Sequence, residues 1–482
     1  MPQPPTTITD ELGIALSNLA DSATGVFTPT LRLGVTGLSR AGKTIFITAL
    51  VHNLLTQGRL PGFSPLAEGR FIGAKLAEYP DATIPRFAYE QHMGALTANP
   101  PTWPEGTRRI SQLRIVLKFQ SAKWWSGMRG PATLNLDIVD YPGEWLLDLP
   151  LLGLSFAEWS AEALERARQP GHADEATEFL RELDSTDVSR EASDADAERL
   201  AAAFTTYLRR SREHGALSTL PPGRFLLPGD LEGSPALTFA PLPKPAAHRS
   251  SSLYRKLEGR YEAYKDRIVR PFFRDHFARL DRQVVLVDTL RALNAGAAAV
   301  SDLETALTSV LACFRQGEAN PLLRPFTRRI DRILFAATKA DHVHHTSHDR
   351  LEAILNRLVA SAAKRARFAG TETRSIAMAG IRATGEGTIR EGGETLPTLI
   401  GTPMQGEVLD GTTYDGRTEI ALFPGDLPER PDSLFENGQP VALNFLRFTP
   451  PQRLERNAAG DPVLPHIRLD RALDYLIGDW MA

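Results

Sequence analysis

Three short stretches hold residues whose types and spacing suit phosphate, magnesium and base chemistry. The first is Gly37-Leu38-Ser39-Arg40-Ala41-Gly42-Lys43-Thr44, which follows the spacing G-x-x-x-x-G-K-[ST]. Gly37 and Gly42 let the backbone wrap an anion with successive N–H groups pointing inward. Lys43 can then reach β- and γ-phosphates, and the Thr44 hydroxyl can ligate Mg²⁺. The second stretch, Asp140-Tyr141-Pro142-Gly143-Glu144, is a D-x-x-G. An aspartate at a strand end beside a phosphate loop can hold the Mg²⁺ shell, and the Gly143 N–H can meet a γ-phosphate with no side chain in the way. Glu144, the acid directly after that glycine, could act as a base toward a water at the γ-phosphate. The third is Thr338-Lys339-Ala340-Asp341, a [NT]-K-x-D. The Asp341 carboxylate could accept both N1–H and N2–H₂ of guanine, a pairing adenine cannot offer, with the Lys339 stem over the ring. Ala383, in the loop after the next strand, is the residue best placed to give a backbone N–H to the guanine oxygen.

Each stretch is modest evidence by itself. Asp-Tyr-Pro-Gly is also an ordinary turn, and Thr-Lys-Ala-Asp also reads as a polar helix entry. The elements around them give the weight. The apolar run Leu31 to Thr36 predicts a strand before the first loop, and apolar periodicity to about Gln57 predicts a helix after it. That helix starts at its partially positive end, where phosphate is favoured. Strands are predicted at Leu113–Phe119 and at Thr133–Val139, the latter running into Asp140. Between Gly58 and Arg109 the chain is rich in Pro, Gly and Thr, and reads as a long connection with one helix around Pro85 to Leu96. Further strands are predicted at Gln283–Val287, Ile330–Ala337 and Thr373–Ala379, with helices at Ser301–Arg315 and Ser347–Phe368. Asp288 ends the first of these and competes with Asp140 as the magnesium aspartate. No glycine stands three residues on, so Asp140 is preferred.

Residues 146–282 read differently. Helical spacing runs through Phe156–Ala167, Ala173–Leu183, Ala195–Arg212 and Leu253–Ile268, with a kink at Pro271. Leu217 to Ser252 is rich in Pro, Gly and Ser and is predicted to be irregular or partly disordered. The last helix has a basic face that could touch anionic lipid or an acidic partner, or simply complement the acidic residues 174–198. Residues 385–450 suggest a small β excursion, with runs at Thr395–Ile400, Glu419–Phe423 and Val441–Phe448. Arg468–Ile477 suggests a closing helix. A short amphipathic helix is predicted at residues 7–22. The expected divisions are therefore 1–30, 31–145, 146–282, 283–384 and 385–482.

The bulk composition, 42% apolar and 23% charged over 482 residues, is that of a globular protein with more than one core. A net charge of −3 gives no general attraction to nucleic acid, and none is expected as a partner. Cys313 is the single cysteine, which rules out an internal disulfide and a thiolate metal cluster. The first residues carry Asp10, Glu11 and Asp21 and do not read as a signal peptide. No run approaches the ~20 apolar residues of a membrane span, so a cytoplasmic protein is expected, peripheral to the inner membrane at most. His342, His344, His345 and His348 lack the H-E-x-x-H spacing and read as solvated or lightly packed histidines.

Taken together, GLSRAGKT, DYPGEW, TKAD, VVLVDTLRALNAG, FPGDLP, FLRF and the terminal PHIRLDRALDYLIGD resemble the YcjX-like family of bacterial P-loop NTPases over nearly the whole chain. The resemblance implies a GTPase-like α/β domain, mostly parallel and doubly wound, with a helical insertion, in proteins linked to bacterial envelope stress. On matching positions, Gly37 to Thr44 would hold phosphates and Mg²⁺, Asp140 to Glu144 would form switch II, and Thr338 to Asp341 would read the base. The switch I threonine is not fixed by the resemblance; Thr102 and Thr107 both precede the second strand suitably. Arg108 and Arg109 are candidates for an arginine that completes the site. The reading is a GTP/GDP- and Mg²⁺-binding protein with slow hydrolysis. Two rivals are an ATP-binding protein and a non-catalytic nucleotide-dependent adaptor.

Overall fold

The structure is a computed structural model that describes residues 28–37, 40–79, 81, 83–106, 109–122, 130–169, 172–213, 220–246, 249–312, 330–391, 394–436 and 443–482. The expected helix at residues 7–22, together with Leu38, Ser39, Thr107, Arg108 and Cys313, lies outside the described residues. In chain order come β1 (Thr30–Gly37), α1 (Lys43–Thr56), β2 (Phe71–Ala77), α2 (Tyr89–Leu96), β3 (Ser111–Phe119) and β4 (Ala132–Asp140). A 3₁₀ segment, Gly143–Gly153, leads into α3 (Phe156–Ala167), α4 (Ala173–Asp184), α5 (Asp194–Glu213), α6 (Leu253–Tyr264) and α7 (Arg270–Asp275). Strands then return as β5 (Arg282–Val287), α8 (Thr289–Ala295), α9 (Ala297–Ala312), β6 (Arg332–Ala337), α10 (His348–Phe368) and β7 (Glu372–Ala377). The C-terminal part holds β8 (Gly385–Glu391), β9 (Glu394–Gly401), β10 (Val408–Leu409), β11 (Thr412–Thr413), β12 (Ile420–Leu422) and α11 (Leu469–Ile477).

The described residues fall into two compact units, one of 28–141, 280–297 and 330–482, the other of 142–279 and 298–312. The first is built on a seven-stranded sheet in the order β2-β3-β4-β1-β5-β6-β7. β4, β1, β5, β6 and β7 run parallel, and β3 is antiparallel to both β2 and β4. This is the α/β, mostly parallel fold expected from the sequence. Every residue of β5 is buried, as a strand covered on both faces requires. Leu31, Leu33 and Val35 of β1 share one core with α1 and with Leu469, Leu473 and Leu476 of α11.

β2 was not predicted; the long connection contains a strand. Phe71-Ile72-Gly73-Ala74-Lys75-Leu76-Ala77 includes a glycine and a lysine, and its register against β3 shifts between Phe71 and Gly73. Ile72 is exposed, so an edge strand with one wet side gives no clean alternation. The helix expected from Pro85 starts only at Tyr89. The residues before it are held extended by Phe87 N–H to Gln112 O and Gln112 N–H to Pro85 O. In the C-terminal part, β12, β9 and β8 form an antiparallel sheet and β10 pairs with β11. The described part of Val441–Phe448 is not a strand. The backbone and side-chain amides of Asn444 bond instead to Pro424 O and Phe423 O.

The helical unit has an aromatic core. Trp159 stacks on Tyr261 at 5.0 Å and meets Phe204 and Phe239 edge-on. The described part of Leu217–Ser252 is irregular but packed: Phe225, Phe239 and Leu242 are buried, so the Pro/Gly/Ser composition signals turns and not disorder. At Pro271 the helix does not simply bend. Proline cannot donate to the carbonyl four residues back, and the preceding turn, Lys265–Val269, widens to a π-helical one.

In the sheet unit, Arg282 opens β5 at 1% exposure, with bonds to Asp331, Asp479 and the Leu476 carbonyl. It therefore ties two strands to the end of α11. Arg282→Met, which keeps the stem and removes the donors, should lower global stability by about 3 kcal/mol. The check is a fall in the urea midpoint without a change in slope.

Candidate nucleotide-binding site

β1 is the strand at which the sheet order reverses. The earlier strands β2 to β4 lie on one side of it and the later strands β5 to β7 on the other, and in such sheets the crevice beyond the strands' carboxyl ends is where ligands bind. The ends of β1, β4, β5, β6 and β7 all meet that edge. They carry the glycine–lysine loop, Asp140, Asp288, Thr338 to Asp341, and the loop to Ala383.

The described part of the first loop, Arg40 to Thr44, turns the chain from β1 into α1. Arg40 and Gly42 adopt left-handed backbone at φ 64° and 81°, and no side chain caps α1 at Gly42. Lys43 is buried and folds back so that Nζ donates to Gly37 O at 2.9 Å. Gly37 is still on β1, and its want of a side chain is imposed by the neighbouring strand: a Cβ there would lie 2.7 Å from Leu286 O. Ala41 is buried and Arg40 exposed. The Thr44 hydroxyl donates to Glu105 O at 3.4 Å, which brings the segment before β3 to the magnesium-ligand candidate. Thr102 is exposed, with its N–H on Ala95 O, and Arg109 is exposed. Asp140 is the last residue of β4, 1% exposed and in register with Val35 of β1. The next residue, Tyr141, is fully buried with its hydroxyl on Gln283, and burial raises its pKa.

The base-reading candidates converge. The Ala383 N–H donates to Asp341 Oδ2 at 2.9 Å, and the Thr384 hydroxyl donates to the Asp341 carbonyl. Lys339 sits in left-handed backbone at φ 59°, and its Nζ pairs with Asp288 Oδ2 at 2.5 Å. Asp288 also caps α8 through Arg291 N–H, which is a structural task. Thr338 turns its hydroxyl to Val287 O at 3.3 Å, bracing the adjacent strand. Gly380 brings the β7 loop against α1, where a Cβ would come 3.2 Å from Phe46 Cα. The histidines after Asp341 are not simply solvated. His342 packs on Phe445 and Phe448, and burial lowers its pKa. His348 is buried with Nε2 on Ala340 O.

Gly143 and Glu144 belong to the helical unit. Glu144 is 2% exposed, and its Oε1 accepts from Arg212 of α5 at 3.0 Å. Around it, Trp145 donates to Leu227 O and lies 3.6 Å beneath the Arg224 guanidinium. Asp148 is buried and accepts from Gly223 N–H at 2.7 Å, Arg224 N–H and the Tyr264 hydroxyl. Gly223 must be glycine, because a Cβ would fall 1.8 Å from Glu144 O. Arg212, Asp148 and Gly223 were not singled out by sequence. For Asp148 a signal existed: one acid inside Leu146-Leu147-Asp148-Leu149-Pro150-Leu151-Leu152 can only be buried with partners.

An α/β sheet with a G-x-x-x-x-G-K-[ST] turn at its switch point and D-x-x-G at the adjacent strand end defines a P-loop protein of the GTPase-like class. The chain belongs to the YcjX-like family: a family model described as "YcjX-like family, DUF463" matches residues 31–481. It is 38% identical over 467 residues to the Escherichia coli (strain K12) protein called Ras-like GTPase YcjX, covering 93% of this chain and 95% of that one. It is likewise 38% identical over 477 residues to the protein of the same name from Shewanella oneidensis, covering 93% and 94%.

Burial pushes the Asp148 pKa up to about 6, against the pull of Tyr264, Arg224 and Gly223. A carboxyl raised on folding holds its proton more tightly in the native state. Its contribution to stability is therefore fullest below about pH 4 and falls as pH rises toward about 6. Asp148→Asn removes that dependence. The stability gap between wild type and variant should narrow by about 2 kcal/mol between roughly pH 4.5 and pH 7, read by urea unfolding at each pH.

Proposed function

We propose that the chain is a guanine-nucleotide switch that binds GTP and GDP with Mg²⁺ and hydrolyses GTP slowly. The observation that carries this reading is the meeting of Asp341 and Ala383. A carboxylate beside a backbone N–H complements guanine, which offers two donors next to a carbonyl oxygen, and mismatches the amino edge of adenine. The Ala383 N–H would pass from Asp341 to that oxygen, and the Lys339 stem would cover the ring while Thr338 holds the loop to β5.

The backbone of Gly37, Leu38, Ser39, Arg40, Ala41 and Gly42 would enclose the phosphates, with Lys43 leaving Gly37 O to reach the β- and γ-oxygens. Thr44 and Asp140 are the groups suited to the metal, by their oxygen chemistry and their place at adjacent strand ends. Bound Mg²⁺ would neutralise charge on the β- and γ-phosphates. The Gly143 N–H would brace the γ-phosphate, and Glu144 would orient the water for in-line attack. Glu144 must first part from Arg212, which suits slow hydrolysis. In this reading 31–145 and 283–384 form the nucleotide domain, 146–282 the insertion that meets a protein partner or an anionic membrane surface, and 385–482 the closing part. A place at the inner face of the cell envelope and a role in stress rest on the family resemblance. Among the described residues, no helix is long and apolar enough to cross a membrane.

The test is titration of the purified full chain with GTP, ATP and xanthosine triphosphate, with and without Mg²⁺. Wild type should prefer GTP. Asp341→Asn should weaken GTP by about 100-fold and gain xanthosine triphosphate, whose C2 carbonyl matches the new amide. Lys43→Ala should lose all three. Equal binding of ATP and GTP, untouched by Asp341→Asn, would overturn the guanine reading.

A further inference from the structure

Apart from the nucleotide candidates, His344, His345 and Glu386 each aim one ligand atom at a common point, all within 4.8 Å of one another. We propose that these three side chains bind a single transition-metal dication of the zinc type, clipping the loop of Asp341 to the loop of Ala383. Neighbouring residues usually point apart. Here the 3₁₀ turn His345–Ser347 begins directly after His344 and swings the two rings to within 4.2 Å, centroid to centroid. His345 Nδ1 lies 2.8 Å from Glu386 Oε2, and His344 Nε2 lies 4.0 Å from the same oxygen.

Zinc–ligand bonds of about 2.0 to 2.1 Å put tetrahedral ligand atoms ~3.3 Å apart. The two spacings to Glu386 Oε2, 2.8 and 4.0 Å, straddle that value. His344 Nδ1 lies 3.0 Å from the Thr346 hydroxyl and 3.5 Å from the Thr346 N–H, which fixes the ring with Nε2 toward Glu386; ligation would shift the ring proton to Nδ1, which would then donate to the Thr346 hydroxyl as metal-bound histidines donate to their outer partners. Glu386 divides its oxygens. Oε1 takes the His345 N–H at 3.0 Å and the Arg382 guanidinium at 3.6 Å, leaving Oε2 for the metal. Two imidazoles and one carboxylate select zinc or a similar borderline ion over Mg²⁺, which wants oxygen alone. One coordination position stays open for water.

The position gives the ion a consequence. His344 follows Asp341 by three residues, and Glu386 follows Ala383 by three. Between them Thr384 donates to the Asp341 carbonyl. An ion joining the two loops would stiffen the pair that reads the base. That consequence rests on the guanine reading above, whereas metal binding does not.

The experiment uses the chelator-stripped full chain without nucleotide, Zn²⁺ in calorimetry and Co²⁺ in visible absorption, with Mg²⁺ in excess. One Zn²⁺ per chain should bind, and Co²⁺ should give intense low-coordination d–d bands. His344→Gln with Glu386→Gln should lower affinity by more than the 10- to 100-fold typical of losing an outer partner, and Thr346→Val should fall within that range. His92→Gln should change nothing. Should the double variant fail to fold, zinc protection of His344 and His345 from diethyl pyrocarbonate in wild type reads the same site. No stoichiometric ion, undiminished affinity in the folded double variant, or no protection would overturn the proposal. Zinc binding with an unchanged GTP affinity would remove only the coupling.

Discussion

Five parallel strand ends at one edge of a sheet are the constraint from which the rest of the site follows. β4, β1, β5, β6 and β7 all finish there, so each loop leaving them emerges on the same side. Asp140 and the glycine–lysine loop are far apart in sequence but occupy adjacent strands in fixed register, Val35 against Asp140. The register is strongly determined because β5 is buried throughout and β1 buries all but two of its residues. A one-residue slip would carry Leu31, Leu33 and Val35 out of the core they share with α1 and α11.

The second constraint lies where the chain leaves that edge. Asp140 and Tyr141 belong to the sheet unit; from Pro142 onward the chain belongs to the helical one. The first residues after the D-x-x-G are fastened there by strong, specific bonds: Glu144 to Arg212, Trp145 under Arg224, and Asp148 with three donors. A buried carboxylate that accepts three bonds cannot shift without stranding its donors. Movement of Gly143 and Glu144 toward a γ-phosphate would therefore either break this set or carry the helices with it. On the switch reading proposed above, either outcome would let the helical unit report on the D-x-x-G segment.

Sequence reasoning reached the sheet, the three loops and most helices because these depend on local signals: apolar runs of the right period and turn residues at fixed spacing. Phe156–Ala167, read from its apolar spacing, matches the helix to the residue, and in the structure a capping box of Ser155 and Glu158 fixes its start. β2 escaped because it is an edge strand with a glycine and a lysine. The packing of Phe225 and Phe239 escaped because composition does not reveal which turns a distant aromatic cluster will cover. Arg212, Gly223 and Glu386 were out of reach for a related reason. Their partners lie 41 to 79 residues away, and no local pattern marks an arginine, a glycine or a glutamate that only the folded chain brings home.

Five of the candidate groups share one more property: the protein itself already supplies each with a partner. Lys43 is on Gly37 O, Thr44 on Glu105 O, Asp341 on Ala383 N–H, Lys339 on Asp288 and Glu144 on Arg212. Buried polar groups left unpaired would each cost roughly 1–3 kcal/mol, so these contacts stabilise the strand-end edge by themselves. On the guanine reading, a nucleotide exchanges bonds more than it adds them. Affinity then turns on what the protein cannot imitate, the charge of the phosphates against Lys43 and α1, and the two donors of guanine against one carboxylate. The contact that resists exchange most is Glu144 with Arg212, a nearly dry carboxylate on a guanidinium that is itself three-quarters buried. It is the only one of the five that hydrolysis, and not binding, would have to break. On the proposed reading, binding and turnover would thereby be separated in the same molecule, as a switch with a long-lived triphosphate state requires.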